Sequence, residues 1–213
     1  MEEKNIKNKK LFILPLAIVL IAFILIGFFI FKPKYELNKA IDYLKNGEYA
    51  EAYNYINTNS TKENQEIVME LITIIFSEKM TSGIENITTI LNKSTSVLNT
   101  INKSNIDYSA DDQVNIYVKK LYTYIDLKNK ISKDMIVSEL HNSYELYFSV
   151  LEFVDENFFD FLNNITDPEF INSIPTQSSN MLEIATDVNS LANNYSFNPK
   201  TQDIYEEISK YLK

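Results

Sequence analysis

The stretch LFILPLAIVLIAFILIGFFIF, residues 11–31, contains no charged side chain and no side-chain hydrogen-bond donor. Seventeen of its 21 residues are Leu, Ile, Val or Phe, and each of these favours insertion at mid-membrane by about 0.3–0.6 kcal/mol. As an α-helix the stretch would be about 31 Å long, which matches a hydrocarbon core of about 30 Å. We therefore expect a single transmembrane helix here.

Two other interpretations of this stretch fit less well. A cleaved signal peptide has an apolar region of about 7–15 residues followed by a small-residue cleavage site, whereas this run is longer and ends in Phe31-Lys32-Pro33. A core helix of a soluble domain carries a polar stripe, which residues 11–31 lack. The sequence therefore favours an uncleaved signal-anchor.

Lysines flank the apolar stretch on both sides, and their density differs. Lys7, Lys9 and Lys10 directly precede it, whereas only Lys32 and Lys34 directly follow it. Because the more basic flank of a membrane helix faces the cytoplasm, we expect residues 1–10 to be a short cytoplasmic tail. Residues 32–213 would then form an extracytoplasmic domain of a single-pass protein of the cell membrane.

The composition limits the source and the partners. The chain has neither Arg nor Cys and is rich in Lys, Asn, Ile and Tyr, which indicates an AT-rich genome and favours a low-GC bacterium. The absence of Cys excludes disulfides and thiolate metal sites. Residues 32–213 carry 16 Lys and 27 Asp plus Glu, a net charge of −11. Because such a domain repels phosphate backbones, we expect no nucleic-acid partner.

Apolar residues at helical spacing predict an all-α domain beyond the anchor, either a helical bundle or an irregular, repeat-like α domain of about seven to eight helices. A first helix is expected at Lys34–Lys45, ended by Asn46-Gly47, and a second at Glu48–Ile56. Capping boxes at Ser60-Thr61-Lys62-Glu63 and Ser82-Gly83-Ile84-Glu85 predict the starts of two further helices.

The second half of the chain is expected to contain the centre of the domain. Asp134–Ile165 is the longest and most apolar segment after the anchor, and a helix that is apolar nearly all round is usually central. The other predicted elements are a helix at Asp111–Lys130, a short helix beginning at Asp167-Pro168-Glu169, a loop at Pro175–Ser179, a helix at Asn180–Tyr195 and a final helix capped by Asn198-Pro199.

One resemblance to a known family appears in AIDYLKNGEYAEAYNYI, residues 40–56. Tyr43, Gly47, Tyr49 and Ala52 match the middle of a tetratricopeptide repeat, in which a turn glycine joins two closely packed helices. The match covers residues 35–58, and no second copy follows about 34 residues later. Residues 35–58 thus resemble a single TPR-like hairpin. That resemblance implies protein or peptide binding by a helical groove, without catalysis.

The residues that carry enzyme chemistry are sparse. His141 is the only histidine, so a catalytic triad or a histidine metal site lacks partners. Nucleophile-elbow, zinc-protease and phosphate-loop motifs are absent from the sequence. We therefore expect that the chain is not an enzyme and that it binds neither a cofactor nor a small-molecule substrate.

Two groups of side chains are candidate binding residues. Glu152, Asp155, Glu156 and Asp160 include pairs three or four residues apart, so they would bind a divalent cation, form an acid/base pair or form a solvated acidic helix face. Tyrosine offers a large, rigid contact area with a polar tip. The candidate protein-binding residues are Tyr43, Tyr49, Tyr53, Tyr117 and Tyr124.

These features predict a membrane-anchored, non-catalytic helical interaction module, a scaffold or assembly factor of a bacterial cell envelope. Its partner would be another envelope or membrane protein. The main alternative is a sensor or regulatory subunit. Because a ten-residue tail holds no output domain, such a subunit would have to act through a partner in the membrane. A cation-binding envelope domain is the third hypothesis.

Overall fold

The computed structural model describes residues 27–101, 120–163 and 168–212. All regular elements within these ranges are helical, so the all-α prediction is confirmed. The helices are α1 (27–45), α2 (Tyr49–Asn59), α3 (Lys62–Ile101), α4 (120–125), α5 (Leu127–Lys130), α6 (His141–Asn163), α7 (Pro168–Asn194) and α8 (Pro199–Ile208). Three 3-10 turns occur at Lys133–Met135, Ser138–Leu140 and Ser209–Tyr211.

The turn between α1 and α2 forms where the sequence predicts a helix end. Gly47 has a φ of +76°, a left-handed conformation that glycine adopts without steric cost. The N–H of Gly47 donates to the Leu44 carbonyl and that of Glu48 donates to the Tyr43 carbonyl, both at 3.0 Å. These two bonds form a Schellman motif. The chain folds back, and the Tyr43 ring lies 6.0 Å from that of Tyr55 in α2.

Helix α3 is a single helix of 40 residues, so the predicted helix start at Ser82-Gly83-Ile84-Glu85 is wrong. Gly83 is buried within α3, and a Cβ there would lie 2.9 Å from Cζ of Tyr147 in α6 and closer still to its hydroxyl. Position 83 therefore lacks a side chain because α6 packs directly against the α3 backbone. The apparent helix breaker is a packing residue.

The N-terminus of α3 is shifted by one residue from the predicted capping box. The helix begins at Lys62, and the hydroxyl of Thr61 accepts the backbone N–H of Asn64 at 3.3 Å. Thr61 is therefore the N-cap, where Ser60 was expected. The Ser60 hydroxyl instead accepts the side-chain amide of Asn64 at 2.8 Å, and that amide also donates to the Pro33 carbonyl of α1 at 2.8 Å.

The predicted helix at Asp134–Ile165 begins later than expected, at His141, and it is shorter than α3. Residues 131–140 form short turns that bury apolar side chains at irregular spacing, namely Ile131, Met135, Ile136, Val137 and Leu140. The backbone N–H of Val137 donates to the Thr73 hydroxyl of α3 at 3.0 Å. The Val137 N–H therefore bonds to α3 and not to a carbonyl within its own segment. A local sequence pattern cannot predict such a contact with a distant helix.

The predicted loop at Pro175–Ser179 is also wrong, because α7 runs without interruption through Pro175. Proline removes one intrahelical hydrogen bond, and the exposed Pro175 ring points to solvent. The C-terminal half of α7 is held on α6, since Ser143 donates to Asp187 at 2.6 Å and Asn142 to Glu183 at 2.8 Å. Tertiary contacts thus maintain α7 as one helix across Pro175, where the sequence pattern predicts a loop.

Aromatic side chains pack where α6 crosses α3. The Phe76 ring of α3 lies 5.4–6.1 Å from the rings of Tyr144, Tyr147 and Phe148 in α6. Phe76 and Tyr147 are fully buried. Burial raises the pKa of Tyr147 well above its usual value, with a smaller contribution from Tyr124.

The predicted membrane segment at residues 11–31 lies outside the described residues except for 27–31, which belong to α1. Of the helices that the structure describes, none is long and apolar enough to cross a membrane. Part of the helix predicted at Asp111–Lys130 also lies outside the description. Its remainder, residues 120–130, has a turn at Asp126 between α4 and α5.

Candidate functional site

A groove of about 670 Å³ lies between α3, the end of α7 and α8. Aliphatic and aromatic side chains form part of its lining: Ile74, Val188, Leu191 and Phe197. Polar side chains complete it, among them Glu78, Thr81, Ser82, Gln202, Tyr205 and Glu206. We call this feature the α3–α7–α8 groove.

A buried carboxylate holds the end of the groove where α7 passes into α8. Glu70 of α3 is fully buried and accepts the hydroxyl of Thr201 at 2.5 Å and the backbone N–H of Asn198 at 3.0 Å. The Asn198 side chain in turn accepts the backbone N–H of Lys200 at 3.0 Å and caps α8. The N-terminus of α8 is therefore attached to α3 through charge-assisted hydrogen bonds.

Tyrosines near the groove are bonded to carboxylates of α3. The Tyr205 hydroxyl is hydrogen-bonded to Glu78, and its pKa is raised mainly by burial and secondly by that bond. Burial likewise raises the pKa of Tyr195, and several carboxylates, including the hydrogen-bonded Glu70, add to the effect. Both phenols are neutral at physiological pH and present a hydroxyl beside an apolar surface.

The rim of the groove is acidic. Glu78 and Glu206 are both exposed, and none of the described residues that line the groove is basic. An apolar floor with carboxylates at its edge suits an amphipathic helix that presents aliphatic side chains flanked by lysines. The arrangement favours binding of a polypeptide, because it combines apolar contact area with a charge pattern that fixes orientation.

A second cleft, of about 540 Å³, also borders α3 and shares Ser82 with the groove. It is formed by the α1–α2 turn, by α3 and by α4–α5. Its lining includes Lys79, Lys120 and Lys130, and we call it the lysine cleft.

The tyrosines proposed as protein-binding residues, as far as the structure describes them, lie in different surroundings. Tyr49 and Tyr124 both line the lysine cleft, with Tyr49 buried and Tyr124 half-buried. Tyr43 and Tyr53 are half-buried side chains that pack against the core from α1 and α2. Tyr117 lies outside the described residues.

The acidic residues proposed as a cation site are engaged differently from one another. Glu152 accepts from Lys128 of α5 at 2.5 Å, Asp155 is half-buried and Glu156 is exposed. The side chain of Asp160 lies outside the described residues. Among the residues that are described, no group of three or more His, Cys, Asp or Glu is placed to hold a metal ion.

Sequence reasoning did not find the α3–α7–α8 groove. A usable signal is the run LITIIF at residues 71–76, since it makes α3 apolar over more than one face and so requires cover on several sides. The contributions of Phe197 and Tyr205 come from a distant part of the chain. Only the packing of α8 on α3 brings them to Ile74.

No protein-family model matches this chain, and neither the curated proteins nor the solved structures contain a significant match. The geometry of the chain itself therefore carries the functional interpretation.

Proposed function

We propose that the chain is a membrane-anchored, non-catalytic interaction module of the bacterial cell envelope. In this proposal the α3–α7–α8 groove binds an amphipathic, lysine-bearing helix of another envelope or membrane protein. The observation that carries the proposal is the groove itself, with its apolar floor and its acidic rim of Glu78 and Glu206.

Support for the anchor comes from the first described turn of α1. Phe28, Phe29, Ile30 and Phe31 are 56–72% exposed, and four successive residues face every direction around a helix. A helix turn that is apolar all round and uncovered by the described part of the chain suits a lipid environment. Lys32 and Lys34 follow at once, as expected for residues at the membrane–water interface.

Support for a polypeptide partner comes from charge and from size. The net charge of −11 on residues 32–213 favours encounter with a basic partner. A volume of about 670 Å³ accommodates several side chains of a docked helix and leaves the rest of that helix on the surface. The partner therefore contributes aliphatic anchors and surrounding lysines.

Site-specific photocrosslinking tests this proposal in cells. A benzoylphenylalanine residue is placed at Gln202 in the groove or at Asn54 of α2, since both are exposed and only Gln202 lines the groove. We expect an adduct from Gln202 whose crosslinked peptide is a lysine-bearing amphipathic segment. The adduct should be lost when Glu78→Lys and Glu206→Lys are combined. An identical adduct from Asn54, or one indifferent to the charge reversals, would contradict the proposal.

A second candidate function, sensing through a membrane partner, is favoured by the continuity of α1. Residues 27–45 form one helix, and its later residues Ala40 and Leu44 are fully buried in the domain core. A displacement of the anchor would therefore reach the domain without an intervening flexible linker. Replacement of residues 11–31 by an unrelated membrane helix separates the two functions. Tethered binding should survive the replacement, whereas signalling through helix contacts should not.

A further inference from the structure

Helix α1 continues from the predicted membrane segment and passes the start of α3 directly afterwards. The apolar stretch ends at Phe31, and shortly after it the Pro33 carbonyl accepts the side-chain amide of Asn64 at 2.8 Å. Asn64 is itself buried, so this contact is part of the packed domain. The turn between α2 and α3 therefore lies at the level at which the apolar stretch ends. We call this part of the domain, residues 33–35 and 57–64, the α2–α3 end.

Helices α1 and α3 run in the same direction away from the α2–α3 end. Pro33 lies near the start of this part of α1 and is bonded to Asn64 near the start of α3. After the last turn of α1, Asn46 lines the lysine cleft together with Lys79 of α3. Because an α-helix rises about 1.5 Å per residue, both helices extend about 20–22 Å between these two contacts. The similar lengths indicate that α1 and α3 are roughly parallel.

Helix α8 follows α3 in the same direction. Its first turn is held at Glu70, which accepts the Thr201 hydroxyl at a point about 9 Å beyond Asn64 along α3. Just after α8, the Leu212 carbonyl accepts the side chain of Lys79 at 3.4 Å, which is further along α3. The wall that α8 contributes to the α3–α7–α8 groove therefore begins beyond the α2–α3 end and extends away from it.

The α3 wall of the groove lies further still from the α2–α3 end. Its lining extends from Ile74 to Ser82, about 15–27 Å beyond Asn64 along the helix. A membrane helix is tilted by up to about 40°, and such a tilt would shorten these heights above the bilayer by about a quarter at most. The headgroup layer is only about 5–8 Å thick on each side, so the groove would stay clear of it.

The surroundings of the α2–α3 end carry no net charge. Residues 32–36 and 57–66 together contain three Lys and three Glu. Lys200 reaches this end from α8, where it is paired with Glu63 at 2.6 Å. Residues 32–213 as a whole have a net charge of −11, which would repel an anionic lipid surface. The α2–α3 end lacks that repulsion.

The side chains of the α2–α3 end suit a membrane–water interface. Residues 57–65, NTNSTKENQ, contain no apolar side chain and offer hydrogen-bonding groups to lipid headgroups. Tyr35 is 65% exposed and follows the exposed Lys34. Tyrosine is enriched at membrane–water interfaces because its ring is apolar and its hydroxyl is polar, and lysine extends its ammonium group towards the headgroups.

We propose that the α2–α3 end lies against the headgroup layer of the bilayer that holds the anchor, and that α1, α3 and α8 extend away from the membrane. The groove is then held outside the headgroups, so its partner docks through an extramembrane helix and not through a membrane-spanning one. This orientation rests on the anchor of the proposed function. It adds which surface of the domain faces the lipid, which an anchor by itself does not determine.

Fluorescence quenching by spin-labelled lipid tests the orientation. Because the chain has no cysteine, a single thiol from Asn57→Cys or from Asn46→Cys can carry an NBD fluorophore. Both positions are exposed asparagines, and Asn46 lies about 20 Å beyond Pro33 along α1, which makes it the matched control. The full chain is reconstituted in phosphatidylcholine vesicles with and without a nitroxide on the choline headgroup. We expect several-fold stronger quenching at position 57 than at position 46.

Flotation of the same vesicles separates failure of the orientation from failure of the anchor. If the chain floats and position 46 is quenched as strongly as position 57 or more so, the domain does not face the lipid with its α2–α3 end. If the chain floats and neither label is quenched, the domain is held away from the bilayer. Either result overturns the orientation and leaves the anchor intact. A chain that does not float with the vesicles overturns both.

Discussion

Glu70 and Thr201 are 131 positions apart in the chain, and their side chains are joined by a hydrogen bond of 2.5 Å in the protein interior. The bond attaches α8 to the middle of the domain and so defines one wall of the α3–α7–α8 groove. The carboxylate accepts hydrogen bonds from two buried donors at the start of α8. Leaving such donors unpaired would lower the free energy of unfolding, so the fold requires this acceptor.

Glu70→Gln should lower the free energy of unfolding by about 1.5–3 kcal/mol, since hydrogen bonds to a charged acceptor are lost while the donors stay buried. Urea denaturation of the full chain in detergent measures the change. Glu63→Gln is the matched control, because Glu63 also joins α3 to α8, by an exposed ion pair with Lys200, and it should cost less than about 1 kcal/mol. Equal effects of the two substitutions would show that the buried hydrogen bonds of Glu70 stabilise the protein no more than the exposed ion pair of Glu63 does.

Gly83→Ala should destabilise the protein by about 1–3 kcal/mol through overpacking, although alanine is favoured over glycine within a helix by about 1 kcal/mol. The new Cβ would collide with the Tyr147 ring. Ser82→Ala, at the exposed neighbouring position, should be nearly neutral. A double-mutant cycle with Tyr147→Phe, which removes the nearest atom, should show less destabilisation than the sum of the single variants. Strict additivity would contradict the packing explanation.

The stability of the domain should fall as the pH rises above about 10, the ordinary pKa of tyrosine. Burial raises the pKa of Tyr147 in the folded state, so between the unfolded and folded pKa values the unfolded chain releases a proton that the folded chain retains. Stability is therefore full below about pH 10 and is lost above it, by about 1.4 kcal/mol per pH unit for one such tyrosine. Urea midpoints from pH 8 to 11 measure this loss, and Tyr147→Phe should reduce the slope above pH 10. An unchanged slope in that variant would assign the loss to other groups.

Ser178→Cys creates a single thiol in a chain without cysteine, at an exposed position of α7. If the domain is extracytoplasmic as proposed, a membrane-impermeant maleimide should label this variant in intact cells as completely as after lysis. The unaltered chain is the blank. Labelling only after lysis would place the domain in the cytoplasm and reverse the proposed orientation.

Helix ends that depend on neighbouring residues were predictable from the sequence. The Asn46-Gly47 turn and the Asn198-Pro199 cap occur where they were expected, because a left-handed glycine and an Asn cap satisfy the terminal backbone groups within a few residues. The all-α class was predictable for the same reason, since apolar spacing is a property of each segment by itself.

Only the tertiary structure shows where contacts between distant elements override the local sequence preference for a helix or a helix end. Gly83 and Pro175 lie inside continuous helices, and residues 131–140 form turns where a helix was expected. In the two best-defined of these cases the reason is a contact with a distant element, Tyr147 for Gly83 and Thr73 for Val137.

The α3–α7–α8 groove belongs to this second category. Ile74 lines the same groove as Phe197 and Tyr205 only because α8 packs against α3. A sequence records which side chains can contact a docked helix. The packing of distant helices decides which of them face one another, because that choice minimises the free energy of the whole core rather than of any one segment.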